Sequence, residues 1–150
     1  MAHSISRILL HVIFSTKNRE PWLDPAIRPR LHSYLAGAIR ALNAKAYRVG
    51  GVAEHVHVAC QIPRTIQVSK LLESIKASSS KWLKQQSPIY NGFTWQSGYG
   101  AFSIGPSQFN TLLAYIENQE EHHRFRTFEE EYIDFLNQHG IRYDAQHLWD

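Results

Sequence analysis

The segment that most constrains the fold is the alternating run at residues 53–62, Ala-Glu-His-Val-His-Val-Ala-Cys-Gln-Ile. Successive side chains of a β-strand point to opposite faces of the sheet. The apolar residues at the even positions from 56 to 62 therefore share one face, and His55 and His57 share the other. This run predicts a strand that packs on a core and presents two imidazoles about 6.5–7 Å apart, close enough to hold one cation together.

Hydrophobic spacing in the rest of the chain predicts strands and helices in a definite order. Strands are predicted at residues 7–16, 46–52, 53–62 and 93–104, and helices at 30–42 and 69–85. A third helix should begin after Ser107 as its N-cap, and a fourth should span residues 128–139 and end at Gly140. The pair Gly50 and Gly51 indicates a bulge or a close backbone approach.

The order β-α-β-β-α-β followed by helices is the ferredoxin-like split βαβ pattern. We therefore expect an α+β fold with a central antiparallel sheet, helices on one face and C-terminal helices at the end. The other face, with His55 and His57, should stay open for a substrate. Residues 1–150 should form one domain, since 150 residues with 43% hydrophobic content can bury one core.

The composition and the first residues of the chain indicate the cellular compartment and the state of the single cysteine. No apolar run approaches the ~20 residues that a membrane span needs. The first residues lack the basic-then-apolar layout of a signal peptide, so we expect a cytoplasmic protein without a membrane partner. The single cysteine, Cys60, excludes an internal disulfide and is expected to be a small buried hydrophobe.

The charges are distributed unevenly along the chain. Residues 1–116 hold 13 of the 16 Lys and Arg residues but only four of the 13 acidic residues. A basic body of this kind suits a polyanion such as nucleic acid, although an ordinary solvated surface is the alternative. The candidate DNA-binding residues are Lys17, Arg19, Arg48, Lys70, Lys76, Lys81 and Lys84.

A second set of functional residues lies in the predicted third helix. Residues four apart stack on one face of a helix, so Tyr115 and Gln119 should project together. A phenol can act as a nucleophile, and an amide oxygen can complete a metal site. With His55 and His57, Gln119 would form a neutral and fairly weak site for Mg²⁺ or Mn²⁺, and Mn²⁺ accepts imidazole more readily.

Other titratable residues near these segments are weaker candidates. His122 and His123 are adjacent on a helix and point about 100° apart, so they should not share one ion and are expected to be structural. Glu54 should point away from the face of the histidine pair. His11 is expected to hydrogen-bond a neighbour in the sheet.

Five segments in the right order resemble the single-tyrosine HUH transposases of small bacterial insertion sequences and their relatives associated with repetitive extragenic palindromes. They are Ser-Thr-Lys-Asn-Arg at 15–19, Glu-His-Val-His at 54–57, Trp-Gln-Ser-Gly-Tyr-Gly-Ala-Phe-Ser at 95–103, Tyr-Ile-Glu-Asn-Gln-Glu-Glu-His-His at 115–123 and Phe-Glu-Glu-Glu-Tyr at 128–132. The resemblance spans nearly the whole chain.

The resemblance implies a specific activity. Members of that family are cytoplasmic homodimers that bind hairpins near the ends of a single-stranded element. They cut one strand with a divalent cation and join it through a 5′-phosphotyrosine, which would assign the nucleophile to Tyr115. In the best-understood members the active site is composite, with the histidine pair from one subunit and the tyrosine helix from the other.

Several alternatives to this activity can be compared with the sequence. Histidine-triad nucleotide hydrolases need a third histidine where Ala59 stands, and two-histidine phosphoesterases need a second His-x-Thr/Ser motif that the sequence lacks. A domesticated protein that binds single strands or hairpins without cutting them remains an alternative. So does an HUH nickase of the replication-initiator kind, although such proteins are usually larger.

Overall fold

The structure, a computed structural model, describes residues 3–150. Four strands form one antiparallel sheet in the order β2-β3-β1-β4: β1 (Ile8–Ser15), β2 (Lys45–Gly51), β3 (His55–Ile62) and β4 (Gly100–Ser103). The helices are α1 (Arg28–Arg40), α2 (Val68–Gln86), α3 (Phe109–Glu117), α4 (Gln119–His122) and α5 (Phe128–Gln138). Short 3₁₀ turns lie at Lys17–Arg19, Pro88–Tyr90 and Pro106–Gln108. The predicted ferredoxin-like split βαβ architecture is confirmed.

One face of the sheet packs against α1 and α2 and carries the larger core. The buried residues of this core include Leu10, Val12, Phe14, Val56, Val58, Leu31, Leu35, Ile39, Leu71, Leu72 and Ile75. Each fully buried aliphatic side chain of this size contributes about 1.5–3 kcal/mol relative to an exposed one. Cys60 belongs to this core, as predicted, and burial raises its pKa to about 12.

The second face of the sheet differs from the expectation in one respect. It is covered by α3 and α5 rather than open, and His55 and His57 are both 0% exposed. The reason is that the same face also carries Leu9, Ile13 and Ala59, which need an apolar cover. The cover consists of Phe109, Leu112, Ile116, Phe128 and Leu136, with Phe102 from β4.

The ends of several elements also differ from the prediction. Within the predicted strand at 93–104, only Gly100–Ser103 pairs in the sheet, while Trp95 makes an isolated bridge to Thr16. Ser107 is not an N-cap, because residues 106–108 form a 3₁₀ turn and α3 begins at Phe109 without a side-chain cap. The fourth predicted helix is α5, and Gly140 follows it with a φ of 65°.

The glycine pair at the end of β2 is the point where α3 meets the sheet. A Cβ at Gly50 would lie 2.7 Å from the backbone oxygen of Ile116, so only glycine allows this approach. The predicted close backbone contact is therefore present, and the bulge of β2 lies between Ala46 and Arg48 instead. Gly50 thus places α3, with Tyr115, directly over the histidine strand.

In the part of the chain that the structure describes, no helix has both the length and the apolar character needed to cross a bilayer.

Candidate active site

The two histidines predicted to form a pair lie at the start of β3, next to the central strand β1. His55 is paired in register with Ser15, and His57 with Ile13. Their ring centroids are 5.1 Å apart. The strand alternation therefore places both imidazoles on one face, as the sequence predicts, and α5 closes over them with Phe128 stacked on His55 at a centroid distance of 4.2 Å.

The buried carboxylate of Glu131, on α5, is the centre of this cluster. Its Oε1 atom lies 3.0 Å from Nε2 of His57 and 3.2 Å from Nε2 of His55. Nε2 of His123 lies 3.2 Å from the same oxygen. Three imidazoles thus converge on one carboxylate oxygen that is itself 0% exposed. His123, expected to be structural, lines the site.

The predicted nucleophile, Tyr115, contacts the other oxygen of the same carboxylate. Its hydroxyl donates a hydrogen bond to Oε2 of Glu131 and accepts one from Nη2 of Arg126 at 3.3 Å. The Tyr115 ring lies 5.9 Å from the His57 ring, centroid to centroid. The phenol and the histidine pair of one and the same chain therefore meet through Glu131.

Gln119 also reaches the cluster, although it does not lie on one continuous helix with Tyr115 as the sequence predicts. The helix is interrupted: α3 ends at Glu117, and Asn118 has a non-helical ψ of 25° before α4 begins at Gln119. The Gln119 side chain is nevertheless buried, with Oε1 3.1 Å from Nε2 of His55 and Nε2 donating to Oε2 of Glu131 at 3.2 Å. The structure thus brings it beside the histidine pair.

Two further residues orient the imidazoles from outside the cluster. Oε1 of Glu54 lies 3.0 Å from Nδ1 of His55, which corrects the expectation that Glu54 points away. Residues 52–54 form the connection between β2 and β3, where strand alternation does not apply. Nε2 of His11 lies 2.7 Å from Nδ1 of His57, so His11 hydrogen-bonds a neighbour in the sheet as expected.

The protonation of His55 and Glu131 follows from their contacts. Burial alone would lower the pKa of His55, but hydrogen bonds and charge from Glu131 and Glu54 outweigh it and raise the pKa. Burial alone would raise the pKa of Glu131, but hydrogen bonds from His123, His55 and His57 hold it well below its usual range. Without a cation, both pKa shifts therefore act in favour of the charged forms of His55 and Glu131.

The pKa values of His57, His11 and Tyr115 are shifted in the direction that favours the neutral form of each side chain. Burial lowers the pKa of His57 to about 4, although Glu131 acts in the opposite direction. Burial likewise lowers the pKa of His11. Burial and the adjacent Glu131 raise the pKa of Tyr115 well above its ordinary value, and Arg126 partly offsets them. The phenol therefore stays protonated at neutral pH.

The donor set fits a divalent cation. Ligand atoms of His55, His57 and Glu131 all lie within 4.8 Å of one another. Imidazole binds a metal through a neutral nitrogen, with the other ring nitrogen held by a partner. Glu54 holds Nδ1 of His55 and His11 holds Nδ1 of His57, which leaves both Nε2 atoms for an ion. The buried group can therefore bind a metal ion.

Glu131 is the functional residue that reasoning from the sequence missed. A usable signal was present in α5, where residues 128, 131, 132 and 135 follow the i, i+3, i+4, i+7 spacing of one helical face. Phe128, Tyr132 and Phe135 make that face aromatic. A glutamate within such a stripe must be buried and therefore needs partners that compensate its charge.

The predicted DNA-binding residues are scattered rather than gathered at the site. Lys70, Lys81 and Lys84 are exposed on α2, which packs on the opposite face of the sheet. Lys76 donates to the carbonyl oxygens of Gln96 and Gly98 at 2.7 and 2.8 Å.

The remaining candidates are Arg19, Arg48 and Lys17. Arg19 pairs with Glu129 at 2.5 Å, and its guanidinium lies 4.7 Å from the ring centroid of Trp149. Arg48 pairs with Glu117 at the end of α3, and Lys17 is exposed. Arg19 therefore contacts α5, the helix that carries Glu131, and Arg48 contacts α3, the helix that carries Tyr115.

Comparison with solved structures supports the fold. A candidate transposase from Deinococcus radiodurans R1 superposes with a TM-score of 0.63 and 17% identity, over 79% of this chain and 95% of that chain. A tyrosine transposase associated with REP sequences, bound to a REP hairpin, gives a TM-score of 0.61 and 15% identity, over 82% of this chain and 72% of that chain. At these identities the likeness establishes the fold alone.

Sequence comparison identifies the family. No curated protein sequence matches the chain significantly. The sequence profile described as "Transposase IS200 like" matches residues 4–119, which include the histidine pair, Tyr115 and Gln119. Because this match covers well over half of the chain, the protein belongs to the family of IS200-like transposases.

Proposed function

We propose that this transposase is a single HUH-type domain, residues 1–150, that cuts and rejoins single-stranded DNA at the ends of an element through a 5′-phosphotyrosine on Tyr115. The observation that carries the proposal is the shared carboxylate of Glu131. One of its oxygens contacts both His55 and His57, and the other accepts the hydrogen bond of the Tyr115 hydroxyl. A nucleophile and a metal-binding group therefore meet at one buried point.

The cation in this proposal is Mg²⁺ or Mn²⁺, held by His55, His57 and Glu131 with Gln119 beside them. When bound, such an ion supplies charge neutralisation and polarisation of the phosphodiester. The chain itself supplies the orientation of the ligands, through Glu54 and His11, and a site from which water is largely excluded. The oxygen of Glu131 makes the ligand set more anionic than the neutral set expected from the sequence.

The residues of the chain perform the covalent step as follows. The Tyr115 oxygen forms a bond to phosphorus while the bond from phosphorus to the 3′-oxygen breaks. The phenol proton passes to water in the cavity that Tyr115 lines, and the departing 3′-oxygen takes a proton from water. The phosphotyrosine retains the energy of the broken bond, so attack by a 3′-hydroxyl reseals a strand without a nucleotide cofactor.

The proposed partner is single-stranded DNA with hairpin ends, in the cytoplasm. The fold is shared with a REP-associated tyrosine transposase that was solved with a REP hairpin, and the body of the chain is basic. We propose a homodimer, as the resemblance implies. Because Tyr115 and both histidines of one chain meet on Glu131, each protomer holds a cleavage site without exchange of the tyrosine helix.

The experiment uses end-labelled single-stranded DNA from the regions that flank the gene, incubated with Mn²⁺ and separated by denaturing electrophoresis. The wild type should form a covalent protein–DNA adduct, and Tyr115→Phe should form none while it still binds the hairpin. Tyr143→Phe, at an exposed tyrosine near the C-terminus, is the matched control and should behave as the wild type.

The same gel separates the alternatives. Cleavage with a free 5′-phosphate and no adduct would indicate a hydrolytic metalloenzyme. Hairpin binding without cleavage would indicate a domesticated binding protein. Cutting of supercoiled duplex DNA in preference to the single strand would favour a nickase of the replication-initiator kind. An adduct that persists in Tyr115→Phe would place the nucleophile elsewhere.

A further inference from the structure

Arg126 is a charged residue at the nucleophile that the proposed function leaves without a role. It lies in the connection between α4 and α5, and its Nη2 donates to the Tyr115 hydroxyl at 3.3 Å. Arg126 and Tyr115 line the same cavity, of about 550 Å³. Arg126 also lines a larger cavity, of about 960 Å³, on the side of Glu54 and His123.

The guanidinium is held in place by the groups around it. Nη1 donates to Oδ2 of Asp134, on α5, at 2.5 Å. The backbone oxygen of Arg126 lies 3.0 Å from Nδ1 of His123, a member of the carboxylate cluster. The side chain is 34% exposed, so it is anchored at one nitrogen and still reaches the solvent of both cavities. A long side chain that is already ordered loses little entropy when it binds a ligand.

We propose, on the basis of the proposed function, that Arg126 is a catalytic residue that binds a non-bridging oxygen of the scissile phosphate and then of the phosphotyrosine. A phosphorus atom poised for attack lies roughly 3–3.5 Å from the nucleophilic oxygen. Its non-bridging oxygens project from it by a further bond length. A guanidinium nitrogen 3.3 Å from the Tyr115 hydroxyl therefore reaches one of them with little movement.

The charges at the site point to the same role. The phosphodiester brings a negative charge to a phenol that already faces the ionised Glu131. Attack adds charge to the equatorial phosphate oxygens, and the Arg126 guanidinium already donates to the oxygen that attacks. Guanidinium groups suit this task because they carry a permanent charge and a planar fork of donors that matches phosphate.

In the step itself Arg126 exchanges no proton and no electron. The Tyr115 oxygen bonds to phosphorus, the 3′-oxygen leaves, and the guanidinium moves its Nη2 hydrogen bond from the phenol to a phosphate oxygen. That exchange also frees a lone pair of the phenol oxygen for attack. The hydrogen bond to Asp134 stays in place and limits the movement of the guanidinium with the bound DNA.

The test compares Arg126→Ala and Arg126→Lys with Arg124→Ala, a matched control whose exposed side chain pairs with Glu121. Single-turnover adduct formation is measured on the flanking single-stranded DNA, with hairpin affinity measured separately. We expect Arg126→Ala to form the adduct about 100–1,000-fold more slowly, the usual effect of losing one charge-stabilising donor. Hairpin affinity and the rate for Arg124→Ala should change little.

Two readouts distinguish contact with the phosphate from a structural role. Guanidinium ion at low millimolar concentration should restore part of the rate of Arg126→Ala and leave that of Arg126→Lys unchanged. A phosphorothioate at the scissile position should slow the wild type for one stereoisomer, and this selectivity should be lost in Arg126→Ala. A slow variant with no rescue, unaltered stereoselectivity and a lowered urea midpoint would show that Arg126 only stabilises the loop.

The outcomes also separate this inference from the proposed function. If the wild type forms an adduct on Tyr115 and Arg126→Ala forms it equally fast, the inference fails and the function stands. If the wild type forms no adduct under any of these conditions, both fail together.

Discussion

Replacement of Glu131 by glutamine tests the central contact of the site. The carboxylate is 0% exposed and accepts hydrogen bonds from three histidines, from Tyr115 and from Gln119. Glu131→Gln keeps the shape but removes the charge and converts one acceptor into a donor. The new amide nitrogen replaces one of the two carboxylate oxygens, so it faces either the imidazoles or the pair Tyr115 and Gln119. All of these groups donate hydrogen bonds to Glu131, and a donor in its place leaves them without an acceptor.

The expected loss in free energy of unfolding follows from the contacts that the substitution breaks. A buried polar group left unsatisfied costs about 1–3 kcal/mol, and breaking a buried ion pair by removing one partner costs about 3–5 kcal/mol. Loss of the charge also removes its own desolvation cost, so we expect a net destabilisation of about 2–4 kcal/mol. For a chain of this size that corresponds to a Tm lower by about 5–15 °C.

The assay is urea denaturation in EDTA, followed by calorimetric titration of the folded protein with Mn²⁺. The urea midpoint of Glu131→Gln should fall with an unchanged m-value, and its Mn²⁺ affinity should fall by about 10-fold or more. Glu121→Gln, which removes an exposed carboxylate paired with Arg124, is the control and should shift stability by less than about 0.5 kcal/mol.

The reasoning is refuted if Glu131→Gln matches Glu121→Gln in both measurements. A stability loss without any change in Mn²⁺ affinity would keep Glu131 as a structural anchor and remove it from the metal site.

Two further predictions concern the histidine strand and the helix above it. Because burial lowers the pKa of His57 to about 4, against about 6.5 when unfolded, the unfolded chain takes up a proton that the folded chain does not. Stability should therefore fall as the pH drops from about 6.5 to 4, by up to ~1.4 kcal/mol per pH unit, and urea midpoints should fall less steeply in His57→Gln. Gly50→Ala should lower the urea midpoint and slow adduct formation, because its Cβ would meet the backbone oxygen of Ile116 and displace α3.

Controls for these two predictions are available in the same chain. His147→Gln, at an exposed histidine near the C-terminus, should keep the pH dependence of the wild type. Gly37→Ala, in α1 with no atom within 4 Å of the added Cβ, should be neutral or slightly stabilising. A steep acid dependence that survives in His57→Gln, or a Gly50→Ala variant that is as stable and active as the wild type, would contradict the respective argument.

By itself the sequence determined the elements and the pair of histidines. Strand alternation and helical spacing are local rules, and they placed His55 and His57 on one face because each position depends only on its neighbours in the chain. The same rules put Tyr115 and Gln119 on one side of a helix, and the interruption at Asn118 did not separate them from the cluster. The order of the elements was enough to predict the sheet.

The tertiary structure decided what meets the histidines. Glu131 is 74 residues from His57, and its role depends on α5 docking its aromatic face over β3, with Phe128 stacked on His55. Glu54 turns toward His55 because it lies in a connection, where alternation ends. Contacts of this kind depend on which apolar surfaces fit together across the whole chain, and no local pattern records that choice.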